Sequence, residues 1–327
     1  MLILLYRYHI SLFFFILLKK KKNEKAYVFF DNDGSTDDMI SLFMLLNTPN
    51  VEVIGVTLIP GNCDVDIGIE ANLKILTMVG KKIKFGYSTE KGKNPFPEDY
   101  KASAMRAMLL PKFINLKEDK SLLINMPAYD FLARAIIQCD EKVSVLLTGP
   151  PTNLTIALKR YPQLKDNIDK VIWMGGAVDV PGNCKNHMSE LNCYWDPQAS
   201  KELLNSGLNV VMFPLDATNQ VLVTKEILFK LAQQANFDAS NIVSELFATV
   251  FWEGTYFMWD MLTTAYLGTN EYVTFRYLEL DISLEPETEG KVIKTPGSGT
   301  FVKVADKIDV DKYYDYFFKV LQYNFKK

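Results

Sequence analysis

From Ala26 onward the apolar positions follow two periods in turn. The run AYVFF ends in a group of aspartates, and MISLFMLLN then repeats apolar residues at helical spacing, which predicts a strand, a loop and a helix. VEVIGVTLI follows as a buried-strand candidate and IEANLKILTMV as the next helix. The later runs KVSVLLTG, KVIWMGG and LNVVMFPLD are short and β-branched, as interior strands are, and helical stretches such as PAYDFLARAIIQC and PQASKELLNSG separate them. NIVSELFATVFWEGTYFMWDMLTTAYL predicts long helices rich in aromatics, and the region near Tyr277 to Val304 predicts short strands with turns. Such alternation predicts an α/β fold, an open, mostly parallel sheet with a Rossmann-like core and helices on both faces, in which ligands bind beyond the carboxyl ends of the strands. The unusual polar residues fall at those ends: DNDGSTDD after the first strand, PGN after the second, TGPPTN after KVSVLL and MGGA after KVIW. Four strand ends are expected to converge on one crevice.

The first eighteen residues depart from this pattern. They are apolar apart from Arg7, His9 and Ser11, and the basic run Lys19 to Lys22 follows. Three readings stay open: a signal peptide without an A-x-A-like cleavage site, a short and interrupted transmembrane helix, or a non-folding extension. Residues 1–24 are therefore set apart, and residues 25–327 are expected to form a single domain. Cytoplasmic residence is the expectation, with secretion or membrane anchoring as the alternatives that this segment leaves open. Nearly half of the chain is apolar, enough for a sizeable core, and 36 basic against 39 acidic residues give a net charge of -3. Nucleic acid is therefore not an expected partner, and a small neutral ligand suits the balance better. Cys63, Cys139, Cys184 and Cys193 show no CxxC spacing and are expected to be free thiols.

The candidate chemistry begins at Asp31, Asp33, Asp37 and Asp38. Four like charges at a buried strand end repel unless a cation or protons compensate them, and the absence of a nearby Cys/His set favours a hard, oxygen-seeking ion such as Ca2+ over zinc. A simpler reading has Ser35 or Asp37 capping the next helix with the other acids solvated. An EF-hand starting at Asp31 fails, because Thr36 and Leu42 stand where glycine and glutamate are needed. DNDGST after an apolar strand also looks like the phosphotransferase motif of haloacid dehalogenase-type phosphatases, with Asp31 as the nucleophile.

The rest of the chain separates these readings. DxDxxxDD at Asp31 to Asp38, PGN at Pro60 to Asn62, TGPPTN at Thr148 to Asn153, MGGA at Met174 to Ala177, Gly182-Asn183, ELNCYWDP at Glu190 to Pro197 and Trp259-Asp260 follow in order. Together they resemble the inosine-uridine preferring nucleoside hydrolase family. The resemblance implies a calcium ion held by Asp33, Asp38, Asp260 and the carbonyl oxygen of Thr148, with Asp33 also the general base towards a calcium-bound water. It implies that Asp37, Asn62, Glu190 and Asn192 grip the ribose hydroxyls, with Asn183 near the 5′-hydroxyl. Cleavage would pass through an oxocarbenium-like state that nearby negative charge stabilises.

Trp259 stands where broad-specificity and pyrimidine-leaning relatives commonly carry a histidine. The segment thus resembles the purine-preferring branch, in which aromatics sandwich the base and solvent protonates it. The second stacking ring would be Tyr100, where that branch carries tryptophan, and Ser35 is a further departure near the leaving group. The expected reaction is hydrolysis of purine ribonucleosides to ribose and free base in purine salvage, by a homodimer or homotetramer as in relatives. A non-catalytic nucleoside-binding protein is the other alternative. Trp195-Asp196 is expected to begin a helix, Asn72 to pack a helix against a loop, and His187 to lie on the surface.

Overall fold

The computed structural model describes residues 25–251 and 254–325, except for the side chains of residues 98–100 and 102. The readings given to residues 1–24 lie outside the described residues. The strands are β1 (Ala26–Asn32), β2 (Val51–Leu58), β3 (Phe85–Tyr87), β4 (Leu123–Pro127) and β5 (Val143–Leu147), followed by β6 (Ile168–Met174), β7 (Val210–Phe213), β8 (Val273–Ile282), β9 (Val292–Lys294) and β10 (Thr300–Ile308). They form one sheet in the order β4-β3-β2-β1-β5-β6-β7-β10-β8-β9. All neighbours from β4 to β10 are parallel, and β8 and β9 add an antiparallel end. The expected α/β architecture is the observed one.

Side chains of β1 alternate between the faces, as the strand period requires. Val28 and Phe30 join one core with Ile40, Phe43, Phe247 and Phe317. Phe29 joins the other with Phe131, Leu154 and Trp173. Burial on both faces is why β1, β5, β6 and β7 read as continuous apolar runs.

Two expectations need correction. The aromatic stretch from Asn241 to Leu267 is not a run of long helices. Before the short helix Trp259–Ala265, and after helix Asp238–Val250, residues 255–258 are extended and pair with residues 221–223, through Val223 N–H to Tyr256 O at 2.8 Å and Met258 N–H to Val221 O at 2.9 Å. Long-range pairing overrides local helical spacing here. Tyr277 to Val304 likewise contains long strands: β8 runs for ten residues because β10 pairs with it along most of that length. Among the described residues no helix is long and apolar enough to cross a membrane.

Candidate active site

The strand order reverses between β1 and β5, and their carboxyl ends carry the aspartates and Thr148. Asp31 lies in register with Leu147, and the Thr148 N–H donates to the Asp31 carbonyl at 3.1 Å, so Asp33 and Thr148 emerge together. A Cβ on Gly149 would stand 2.7 Å from the Asp33 Cβ, which explains the glycine. Gly149→Ala is expected to destabilise the protein by about 1–3 kcal/mol. A lower urea midpoint at unchanged m-value would register that loss.

Ser35 caps the helix Thr36–Asn47. Its hydroxyl accepts from the Asp38 N–H at 3.3 Å, and its own N–H donates to Asp38 Oδ2 at 2.8 Å. Ser35 Oγ also lies against Asp37. The capping reading is therefore realised by Ser35, but the acids around it are buried rather than solvated. Asp37, Asp38 and Asp260 each offer a carboxylate oxygen within 4.8 Å of the others. Asp33 adjoins this group through a hydrogen bond with Asp38, and Asp37 is hydrogen-bonded to Asp260. Asp260 comes from the helix Trp259–Ala265, which packs against the helix Thr36–Asn47. The Thr148 hydroxyl donates to Asp38, and its carbonyl accepts from Asn192 Nδ2 at 3.3 Å.

A cavity of about 350 Å³ opens over this group. Of the sequence candidates, Asp33, Ser35, Asp37, Asn62, Thr148, Asn183, Glu190, Asn192, Trp259 and Asp260 line it. Asp38 belongs to the carboxylate group without lining the cavity. The Tyr100 side chain lies outside the described residues; its backbone is in the helix Glu98–Met108. Asn62 Oδ1 is buried without a partner. Glu190 accepts from the N–H groups of Gly176, Asn192 and Cys193 at 2.8, 2.9 and 3.2 Å, capping the helix Leu191–Trp195 and tying the MGGA loop to it. Asn183 Oδ1 accepts from the Leu191 N–H at 3.0 Å.

Asp31 is a correction. It is 1 % exposed, accepts from Thr57 Oγ1 at 2.7 Å and Asn153 Nδ2 at 2.9 Å, and does not line the cavity. A nucleophile must reach its substrate, so the phosphatase alternative has no reacting group. Among the expected bystanders, Asp196 caps the helix Pro197–Leu204 whereas Trp195 closes the preceding helix Leu191–Trp195 instead of beginning one, Asn72 bonds the Asn32 amide across 3.2 Å, and His187 is exposed and lines no part of the cavity.

Burial raises every carboxyl of the group. It pushes Asp33 and Asp260 well above the usual range, reinforced by Asp38 beside Asp33 and by Asp37 beside Asp260. Burial, then the charge of Asp38, pushes Asp37 up to about 6. Asp38 is raised by burial, opposed by hydrogen bonds from Asp33, Thr148 and Ser35. No lysine, arginine or histidine among the described residues lines the cavity. The group is thus a set of hard oxygen donors without a protein counter-charge, a composition that fits a divalent cation and offers nothing for a soft one.

Sequence reasoning missed Phe96, Ser103, Tyr256 and Phe257, which also line the cavity. Tyr256 is hydrogen-bonded to Asp37, and its ring meets that of Trp259 edge-on at 4.9 Å. Phe257 lies 5.6 Å from Trp259, whose indole N–H donates to Asn219 Oδ1 at 3.1 Å. The run TYFMWD, next to Asp260, held the signal for both residues.

A family model described as inosine-uridine preferring nucleoside hydrolase matches residues 28–315. Among named relatives, the probable uridine nucleosidase 2 of Arabidopsis thaliana is 28 % identical over 219 residues, 64 % of this chain and 65 % of its own length. The pyrimidine-specific ribonucleoside hydrolase RihA of Citrobacter koseri is 28 % identical over 230 residues, 67 % of this chain and 69 % of its own. The chain thus spans just under two thirds of the plant relative. Among solved structures, the inosine-uridine preferring nucleoside hydrolase of Bacillus anthracis superposes with a TM-score of 0.84 at 28 % identity, covering 91 % of this chain and 99 % of that one. The purine-preferring ribonucleoside hydrolase of Gardnerella vaginalis gives 0.77 at 25 %, covering 90 % and 98 %.

Proposed function

The chain belongs to the inosine-uridine preferring nucleoside hydrolase family, and on that premise we propose that it hydrolyses the N-glycosidic bond of purine ribonucleosides, with calcium in the carboxylate group. The observation that carries this reading is one cavity lined by two unlike sets of side chains. One set is the buried carboxylates and the unpartnered Asn62 amide oxygen, the other the rings of Tyr256, Phe257 and Trp259. A ribose diol suits the first and a flat heterocycle the second.

Asp33, Asp38, Asp260 and the Thr148 carbonyl would hold the cation, with Asp37 close enough to join them. Bound there, calcium supplies Lewis-acid chemistry that makes water a stronger acid and offsets the repulsion among the carboxylates. Asp37, Asn62 and Asn192 orient the sugar hydroxyls so that the anomeric carbon faces Asp33. Glu190 stiffens the lining of the cavity through its three backbone bonds. Water forms the new C1′–O bond as the C1′–N bond breaks. Asp33 takes the water's proton, and the base leaves with the bonding electron pair and gains a proton from solvent. The aspartates stabilise the positive charge that develops on the sugar.

Trp259→Ala is expected to lower kcat/KM for inosine roughly 10- to 100-fold, the size of a lost aromatic stack plus its buried area. Uridine turnover should change much less. Steady-state release of reducing sugar from inosine, guanosine, adenosine and uridine tests the assignment. The second reading, a pyrimidine substrate, is favoured by the names of the Arabidopsis and Citrobacter relatives. Preferential release from uridine by the unaltered protein would establish it in place of the first.

A further inference from the structure

Glu289 lies in the turn between β8 and β9, far along the chain from every cavity residue, yet it is 6 % exposed. Its Oε2 accepts from Asn94 Nδ2 at 2.9 Å, and its Oε1 pairs with Lys93. Its carbonyl accepts from Ser189 Oγ at 2.6 Å, one residue before Glu190. Asn94 in turn donates from Nδ2 to the Tyr194 carbonyl at 2.7 Å and from its N–H to the Trp195 carbonyl at 3.1 Å. The following residue, Gly290, has φ +76°, and a Cβ there would stand 2.7 Å from the Tyr194 Cα. The turn is therefore seated on the backbone of the segment that carries Asn192. Two residues beyond Asn94 the same loop delivers Phe96, which lines the cavity and rests on Trp195, with ring centroids 6.3 Å apart.

We propose that Glu289 is a positioning residue, a latch that fixes the Lys93–Phe96 loop against the Glu190–Trp195 segment and so sets the part of the nucleoside cavity that Phe96 and Asn192 line. This rests on the nucleoside reading above. The Lys93 side chain is 60 % exposed, so its ion pair is screened, whereas the Asn94 bond is shielded. An amide at position 289 can still accept from Asn94. Glu289→Gln should therefore preserve the latch, and Glu289→Ala should release it. Because this part of the cavity encloses the nucleoside before and during the reaction alike, release raises KM and spares kcat.

The test compares the full-length protein with Glu289→Ala and Glu289→Gln by inosine kinetics and by amide hydrogen exchange of residues 91–97 without nucleoside. The latch predicts about tenfold higher KM, kcat within about twofold and at least tenfold faster exchange in Glu289→Ala, with both readouts restored by Glu289→Gln. Unchanged loop exchange in Glu289→Ala would overturn it. So would a loss of kcat with faster exchange spread over the whole chain, which marks general destabilisation. If the unaltered protein releases no ribose, the nucleoside reading fails, and the exchange readout alone decides the latch.

Discussion

Asp33→Ala is expected to slow ribose release from inosine about 10³-fold while leaving inosine affinity within a few-fold of normal. General-base contributions run from about 10²- to 10⁴-fold. Asp33 lines the cavity at the reversal point of the sheet, hydrogen-bonded to Asp38 and hemmed in by Gly149. Loss of an interaction made only in the transition state appears in kcat rather than in binding. Since Asp33 is also a proposed cation ligand, single-turnover rates should be taken at saturating calcium, with Asp33→Asn alongside to retain an oxygen donor without the basic carboxylate. Near-normal rates in both variants would remove Asp33 as the base.

The second large effect is that of the cation. Chelation should abolish turnover, and calcium at a hundred times its dissociation constant should add about 2.7 kcal/mol of stability. Scanning calorimetry should register this as a rise in Tm of roughly 5 °C. The sign of the pH dependence follows from the raised carboxyls. Asp37 titrates near 6 in the folded, metal-free protein against an ordinary value of 3.8, and burial pushes Asp31 up to about 7. The folded state thus binds more protons than the unfolded one between about pH 4 and 7, so the metal-free protein loses stability as pH rises through that window. Calcium displaces the protons held by the carboxylate group, that of Asp37 among them, so its affinity should rise from pH 5.5 to 7.5 with proton release. Titration calorimetry in buffers of different ionisation enthalpy measures that release. A flat Tm with and without calcium would contradict the assignment of the cluster.

How much of this was legible in the sequence follows from what each feature depends on. The interior strands were visible because β1, β5 and β6 are buried on both faces and so carry unbroken apolar runs. The carboxylate group was visible because three of its members share one loop and one helical turn, and Asp260 because of its family pairing with Trp259. Other features exist only through tertiary pairing. The helical spacing of aromatics concealed the extended segment that brings Tyr256 and Phe257 to the cavity, since its hydrogen bonds go to residues 221–223. Phe96 and Glu289 gave no local signal. They meet the site because the Lys93–Phe96 loop and the β8–β9 turn both rest on the Glu190–Trp195 segment. The concealed function of Asp31, a buried acceptor for Thr57 and Asn153, likewise depends on partners 26 and 122 residues away.

The most direct test of the central claim is release of ribose from inosine by the full-length protein in calcium, quantified together with free hypoxanthine. Calcium-dependent hydrolysis yields the two products in equal amounts, stopped by chelation and restored by added calcium. Tight inosine binding with neither product would contradict it and leave a nucleoside-binding protein in its place.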